Sequence, residues 1–475
     1  MDYSLTYTER EGSGPAALCI RPAAVAVAEG EQRMSTHFIA LIDISDSMAD
    51  SNKLAHVKHC MSLLLQFLTP ADRLSLVTFG EDSKIVLRGV KADGAAAAAA
   101  AAAIAELHTD GCTNLSAGLA AVCQILEGGL DTGGCAATAM KPALLILTDG
   151  HANRGASRPD ELLSIIKTMG DRFPALSFSF IAYGTEHNAN LLQQMSAQQM
   201  GPYSVVENIE SAALAMGEAL GGACSCCAQN VLVRCPAGTK ALNPYKATPE
   251  GVIRIGDLYS GSEVLLLLEL EAGPVIVEGV SLPDMISFRN ELIPTFDSTP
   301  SPEIELARLR VTCSELFRRI REGATDLPAL QREVTAFEEA VRATAYDGHP
   351  VAEMLRQEVV SLRAALVMVG RRGVDRELTT HIAAHEQYTL LGRGASQPIQ
   401  VRAVSPVRMW SAAPRAMWSA GPSVSDDENP VGITTMPPPT SYLSPTSSQT
   451  ARRIATRMQV LSVAASQPAE EEDVN

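Results

Sequence analysis

The feature that most constrains the fold of this chain is an alternation of short apolar runs with amphipathic segments from His37 to about Gly222. HFIALID (37–43), RLSLVTFG (73–80), PALLILTDG (142–150), LSFSFIAYG (176–184) and YSVVE (203–207) read as strands. Between them lie NKLAHVKHCMSLLLQFL (52–68), with apolar spacings of three and four, and a run holding nine consecutive alanines at 95–103. TNLSAGLAAVCQIL (113–126), RPDELLSIIKTMGDRF, NANLLQQMSAQQM and NIESAALAMGEALGG complete the helical set. Strands that are apolar throughout are those buried on both faces. Repeated strand–helix units predict a doubly wound, mostly parallel sheet, a Rossmann-like α/β layer with helices on both sides.

Beyond Gly222 the period changes to two. QNVLVRCP, GVIRIGDLY, SEVLLLLELE and GPVIVEGVSL are short strands separated by Gly and Pro turns, which predicts a small β-sandwich over 223–300. Two strands in residues 1–35, SLTYTE and AALCIRPA, are expected to join that β unit. Residues 301–372 carry three amphipathic helices and predict a helical hairpin or small bundle. Residues 373–475 are rich in Ser, Pro, Thr and Ala and end in AEEEDVN, the composition of a disordered tail. The α/β unit is assigned 36–222.

Composition narrows the function classes. With 38 Lys and Arg against 54 Asp and Glu, the net charge of −16 argues against a chain that binds nucleic acid or anionic lipid. The N-terminus shows no apolar run, so no secretory signal is read, and no apolar stretch is long enough to span a bilayer. Ten cysteines without a paired framework are read as reduced thiols of an intracellular protein, cytoplasmic with the nucleus left open. No nucleophile elbow, phosphate-binding loop or dinucleotide fingerprint occurs, and the expectation is that the chain is not an enzyme.

One constellation carries chemistry. Asp43-Ile44-Ser45-Asp46-Ser47 follows the first central strand, at the carboxyl end where open α/β sheets bind ligands. The one-residue gaps let a tight loop turn Asp43, Ser45 and Ser47 toward one point. Thr113 in GCTNL and Asp149 in LTDG stand at equivalent positions further along. Hard oxygen donors without His or Cys suit Mg²⁺ or Mn²⁺, with water completing the shell. Two carboxylates and three hydroxyls leave a coordination position for an acidic side chain of a partner.

DISDSM, GCTNL and LTDG, in this order on this pattern, resemble the von Willebrand factor A domain with its metal-ion-dependent adhesion site. The resemblance implies that Ser45, Ser47 and Thr113 bind the metal directly, and Asp43 and Asp149 directly or through water. It further implies a protein-binding scaffold whose metal accepts an Asp or Glu side chain of a partner protein. The family usually has Gly between the two serines, where this chain has Asp46. More loosely, the following β and helical regions resemble intracellular proteins that join this domain to such a unit, including plant proteins with an added RING finger and a group related to Hint proteins. No RING is present here, since only Cys224-Ser-Cys226-Cys227 offers a C-x-x-C spacing. Two other readings stay open: a non-catalytic adaptor in a ubiquitin-transfer system, and a structural subunit whose metal stabilises the fold.

Other features have plainer readings. Cys224, Cys226, Cys227 and Cys235 read as packing cysteines at a domain junction, and His381 and His385 as solvated. The tail holds the repeat MWSAAP (409–414) and MWSAGP (417–422), with both tryptophans of the chain, Trp410 and Trp418, as candidate docking anchors.

Overall fold

The structure is a computed structural model of the chain. It describes residues 2–7, 14–22, 35–91, 93–128, 140–184, 186–242, 245–260, 264–292, 295–296, 302–322, 326–344 and 350–372. The tail repeat and His381 and His385 lie outside these residues.

The chain opens with β1 (Asp2–Tyr7) and β2 (Gly14–Arg21), then enters the α/β unit. Its elements are β3 (Thr36–Asp43), α1 (Lys53–Phe67), β4 (Arg73–Phe79), β5 (Ser83–Lys91), α2 (Gly94–Ala105), α3 (Leu115–Glu127) and β6 (Lys141–Thr148). They continue with α4 (Pro159–Arg172), β7 (Ser177–Tyr183), α5 (Ala189–Gln199), β8 (Tyr203–Val206) and α6 (Ile209–Ser225). The sheet runs in the order β5-β4-β3-β6-β7-β8. β4, β3, β6, β7 and β8 pair in parallel, and β5 is antiparallel to β4.

The central strand β3 shows why the fold is doubly wound. Every residue in it is buried, and successive side chains face opposite sides. Phe38, Ala40 and Ile42 pack into a core with α1, α2 and α6, whereas Ile39 and Leu41 pack into another with α3, α4 and α5. The sequence reading passes from β4 to the alanine run without a strand between them. β5 fills that gap as an edge strand, where Lys84, Arg88 and Lys91 interrupt the apolar pattern. Edge strands commonly carry such charges, which block pairing with another chain.

From Cys226 the chain forms β9 (Cys226–Arg234), β10 (Lys240–Ala241), β11 (Val252–Tyr259), β12 (Val264–Leu270), β13 (Val275–Ser281), β14 (Ile286–Leu292) and β15 (Thr295–Phe296). They make two sheets, β10-β12-β2-β1-β15 and β11-β9-β13-β14. Leu18 and Ile20 of β2, Leu266 and Leu268 of β12, Val231 and Val233 of β9 and Ile253 of β11 share one core. β2 pairs antiparallel with β12, so the two arms of this sheet lie on either side of the α/β unit in sequence. β14 is a further strand that the sequence reading does not contain. Its charged and exposed residues hide the alternation.

α7 (Pro302–Arg321), α8 (Leu327–Ala343) and α9 (Pro350–Arg372) pack on one another around Phe317, Leu330, Val334, Leu355 and Leu362. Ala307 of α7 also meets Ala17 and Leu267 on the outer face of the first sheet. The α/β unit and the sandwich are joined through polar contacts. Lys141 Nζ lies 3.4 Å from Asp257 Oδ2, to which the Ser177 hydroxyl donates at 2.5 Å. Gln229 and Asn230 donate to the carbonyls of Ala175 and Pro174.

A pH-sensitive link ties three strands together. The Ser75 hydroxyl oxygen accepts from Gly89 N and lies 2.8 Å from His37 Nε2, within hydrogen-bond distance. Burial, with the charge of Arg73 added, brings His37 down to about 4. The unfolded chain therefore binds a proton that the folded one refuses between about pH 6.5 and pH 4. Stability is lost as the pH falls through that window, by up to roughly 3 kcal/mol. We expect the thermal midpoint to drop between pH 7 and pH 5, and to drop less in His37→Gln, as read by circular dichroism melts.

Candidate metal centre

The carboxyl ends of β3 and β6, adjacent strands in the middle of the sheet, deliver two acids to one cleft. Asp43 and Asp149 are both completely buried. The Asp43 carboxylate is fixed at both oxygens. Oδ1 accepts from Ser45 N at 2.9 Å, and Oδ2 accepts from the Thr148 hydroxyl at 2.6 Å. Thr148 in turn accepts from Gly150 N, so its proton is committed to Asp43. Burial and the nearby Asp149 charge raise the Asp43 carboxyl to about 6, against the opposing pull of the Ser45 and Thr148 hydrogen bonds.

After β3 the chain turns through a kinked 3₁₀ stretch, Asp46–Asn52. This turn sets the hydroxyls of Ser45 and Ser47 3.1 Å apart. Asp46 does not take a left-handed backbone, so the loop does not need the glycine usual in the family. It forms a reciprocal strap, donating its N–H to Gly111 O and accepting from Gly111 N at Oδ1.

Thr113 is buried on the loop before α3. Its N–H donates to Asn153 Oδ1, and its carbonyl accepts from Asn153 N and Arg154 N. Asn114 caps α3 by accepting from Ala117 N. The loop after β6 is set by Gly150 at φ +73° and by Asn188 N, which donates to the Asp149 carbonyl. Lys53, the first residue of α1, reaches across to Asp149 Oδ2 at 3.1 Å.

The donor set suits a hard divalent cation. Buried carboxylates that repel each other gain most from a cation between them, and the hydroxyls of Ser45, Ser47 and Thr113 supply neutral oxygen. Among the described residues no group of three or more His, Cys, Asp or Glu side chains is arranged to hold a metal, so a cation here depends on the hydroxyls. The Cys226 and Cys227 thiols donate to different carbonyls, of Ala228 and Leu258, and burial pushes them up to about 12 and about 11. Sequence reasoning missed Thr148, Asn153 and Lys53. Thr148 had a signal, since it immediately precedes Asp149.

The model of the von Willebrand factor type A domain matches residues 37–205. This part of the chain has the von Willebrand factor A fold, a class that typically serves as a protein-interaction module and is generally non-enzymatic. The chain is 27% identical over 184 residues to the uncharacterized protein YfbK of Escherichia coli, covering 39% of this chain and 30% of that protein. It is 28% identical over 163 residues to human inter-alpha-trypsin inhibitor heavy chain H3, covering 34% of this chain and 18% of that one. It thus spans less than a third of either relative. A solved von Willebrand factor type A protein from Catenulispora acidiphila superposes with a TM-score of 0.57 at 14% identity. That match covers 82% of this chain and 96% of the other, so the fold likeness extends beyond the α/β unit.

Thr148→Val keeps the shape of the side chain but strips Asp43 of a buried donor and Gly150 N of its acceptor. We expect a loss of about 2–4 kcal/mol at neutral pH with an unchanged m-value, measured by denaturant unfolding in EDTA.

Proposed function

We propose that this chain is a protein-binding scaffold whose α/β unit engages a partner through a divalent cation, Mg²⁺ or Mn²⁺. The observation that carries this reading is the pairing of two fully buried carboxylates, Asp43 and Asp149, with the adjoining hydroxyls of Ser45 and Ser47. Burying two like charges at the exit of a sheet opposes folding, and such an arrangement persists where function calls for it. Asp43, Ser45, Ser47, Thr113 and Asp149 would hold the cation. When bound, the cation supplies an open position for a carboxylate oxygen of an acidic side chain. The residues of the chain do the rest: Thr148 and Ser45 N orient Asp43, and the loop at Asn153 holds Thr113 in place.

The nine described cysteines are free, which supports an intracellular setting, and we place the chain in the cytoplasm or nucleus. Among the described residues no helix is long and apolar enough to cross a membrane. The kinship with intracellular von Willebrand factor A proteins that carry RING or Hint units belongs to the same proposal. So do Trp410 and Trp418 as a second docking element.

The test is an affinity capture from matched lysate in Mg²⁺ and in EDTA, with wild type, Asp43→Ala and Asp43→Asn. Partners should be lost with EDTA and with either variant alike, while circular dichroism shows that the variants stay folded. Partners retained under both treatments would move the binding function away from this cleft.

A further inference from the structure

Lys53 stands in a place that its local structure does not favour. It is the first residue of α1, where the helix dipole favours an acid, and the first turn of α1 holds none. The two residues before it, Ser51 and Asn52, both take left-handed backbones at φ +52° and +58°. Asn tolerates this conformation, whereas for Ser it is sparsely populated and retained where the surroundings demand it. Neither Ser51 nor Asn52 is glycine, and the Asn52 side chain makes no capping hydrogen bond.

The side chain runs past Gly184. Gly184 follows β7 with φ +80°, a conformation that itself favours glycine, and a Cβ on it would come within 2.8 Å of Lys53 Cε. Beyond Gly184 the ammonium reaches Asp149 Oδ2, with only 12% of its side chain exposed. A dipole-opposed position and a left-handed approach therefore lead into one ion pair with little exposure. The cleft holds two buried carboxylates and receives one fixed positive charge.

We propose that Lys53 is a built-in counter-ion of the cleft. It holds Asp149 when no divalent cation is present and competes with that cation for the same carboxylate. This inference rests on the metal-dependent reading above and adds what sets the affinity of the site. Charge is what competes: a cation entering beside Asp43 and Asp149 meets an ammonium already 3.1 Å from one of its ligand atoms. A cation that binds must displace the ammonium or share the carboxylate with it, and either outcome lowers its affinity.

The test uses the full chain as wild type, Lys53→Met and Lys53→Gln, titrated with Mn²⁺ by calorimetry and melted in EDTA and in saturating Mn²⁺. Both variants should bind Mn²⁺ roughly tenfold tighter, the size expected from removing a half-screened neighbouring charge. They should also melt below wild type in EDTA, with the difference shrinking in Mn²⁺. Unchanged or weaker Mn²⁺ binding by the variants, or equal melting in EDTA, overturns the inference while leaving the metal site intact. If wild type and variants all fail to take up Mn²⁺, the metal reading itself falls, and competition falls with it. Should neither variant fold, acylation of Lys53 in the wild type by an N-hydroxysuccinimide ester decides the matter. Peptide mass spectrometry should show it several-fold faster in Mn²⁺ than in EDTA, and equal rates overturn the inference.

Discussion

The repulsion between Asp43 and Asp149 is the constraint to which the rest of the cleft is fitted. Both carboxylates end neighbouring parallel strands and both are closed off from water. In a medium of low polarity two such charges cannot sit together without compensation. Each surrounding feature supplies part of it. Thr148 and Ser45 N hold one carboxylate by hydrogen bonds, and Lys53 holds the other by charge. The loops carrying Ser47, Thr113 and Asn153 are pinned by a separate set of bonds, from Asp46 to Gly111 and from Thr113 to Asn153.

What the sequence reveals of this arrangement follows a clear division. The strands β3, β4, β6 and β7 are legible because burial on both faces makes them continuous apolar runs. The positions of Asp43 and Asp149 are legible because they terminate such runs. β5 and β14 are not, since an edge strand and an exposed strand carry charges that erase the period of two. Lys53 is hidden for a different reason. In the sequence it is one basic residue at the start of an amphipathic helix, indistinguishable from a solvated one. Its role comes from contacts with Gly184 and Asp149, over a hundred residues and nearly a hundred residues away, which no local pattern encodes. Asp46 shows the reverse case, where a departure from the usual motif is absorbed by a strap to Gly111.

The joint between the α/β unit and the sandwich is held by groups of another kind. Lys141 is buried against Asp257, which also accepts from Ser177, while the amides of Gln229 and Asn230 meet carbonyls at the turn before β7. A joint built from directional bonds fixes orientation more sharply than an apolar contact of the same extent, because a small rotation leaves buried donors and acceptors without partners. The α/β unit and the sandwich are therefore held at a set angle to each other.

The pairing of β2 with β12 has a consequence for the making of the chain. During synthesis from the N-terminus, β2 emerges beside β1 but long before β12, its other neighbour, and every residue of the α/β unit is made in the interval. Its apolar face, with Leu18 and Ile20, stays without its final cover until then. The α/β unit can complete its own two cores first, because all of its strands lie within one continuous stretch. The sandwich can close only once β12 has been made, after every strand of the α/β unit. The topology thus allows the cleft to form before the sandwich, which docks at the opposite end of the sheet, is complete.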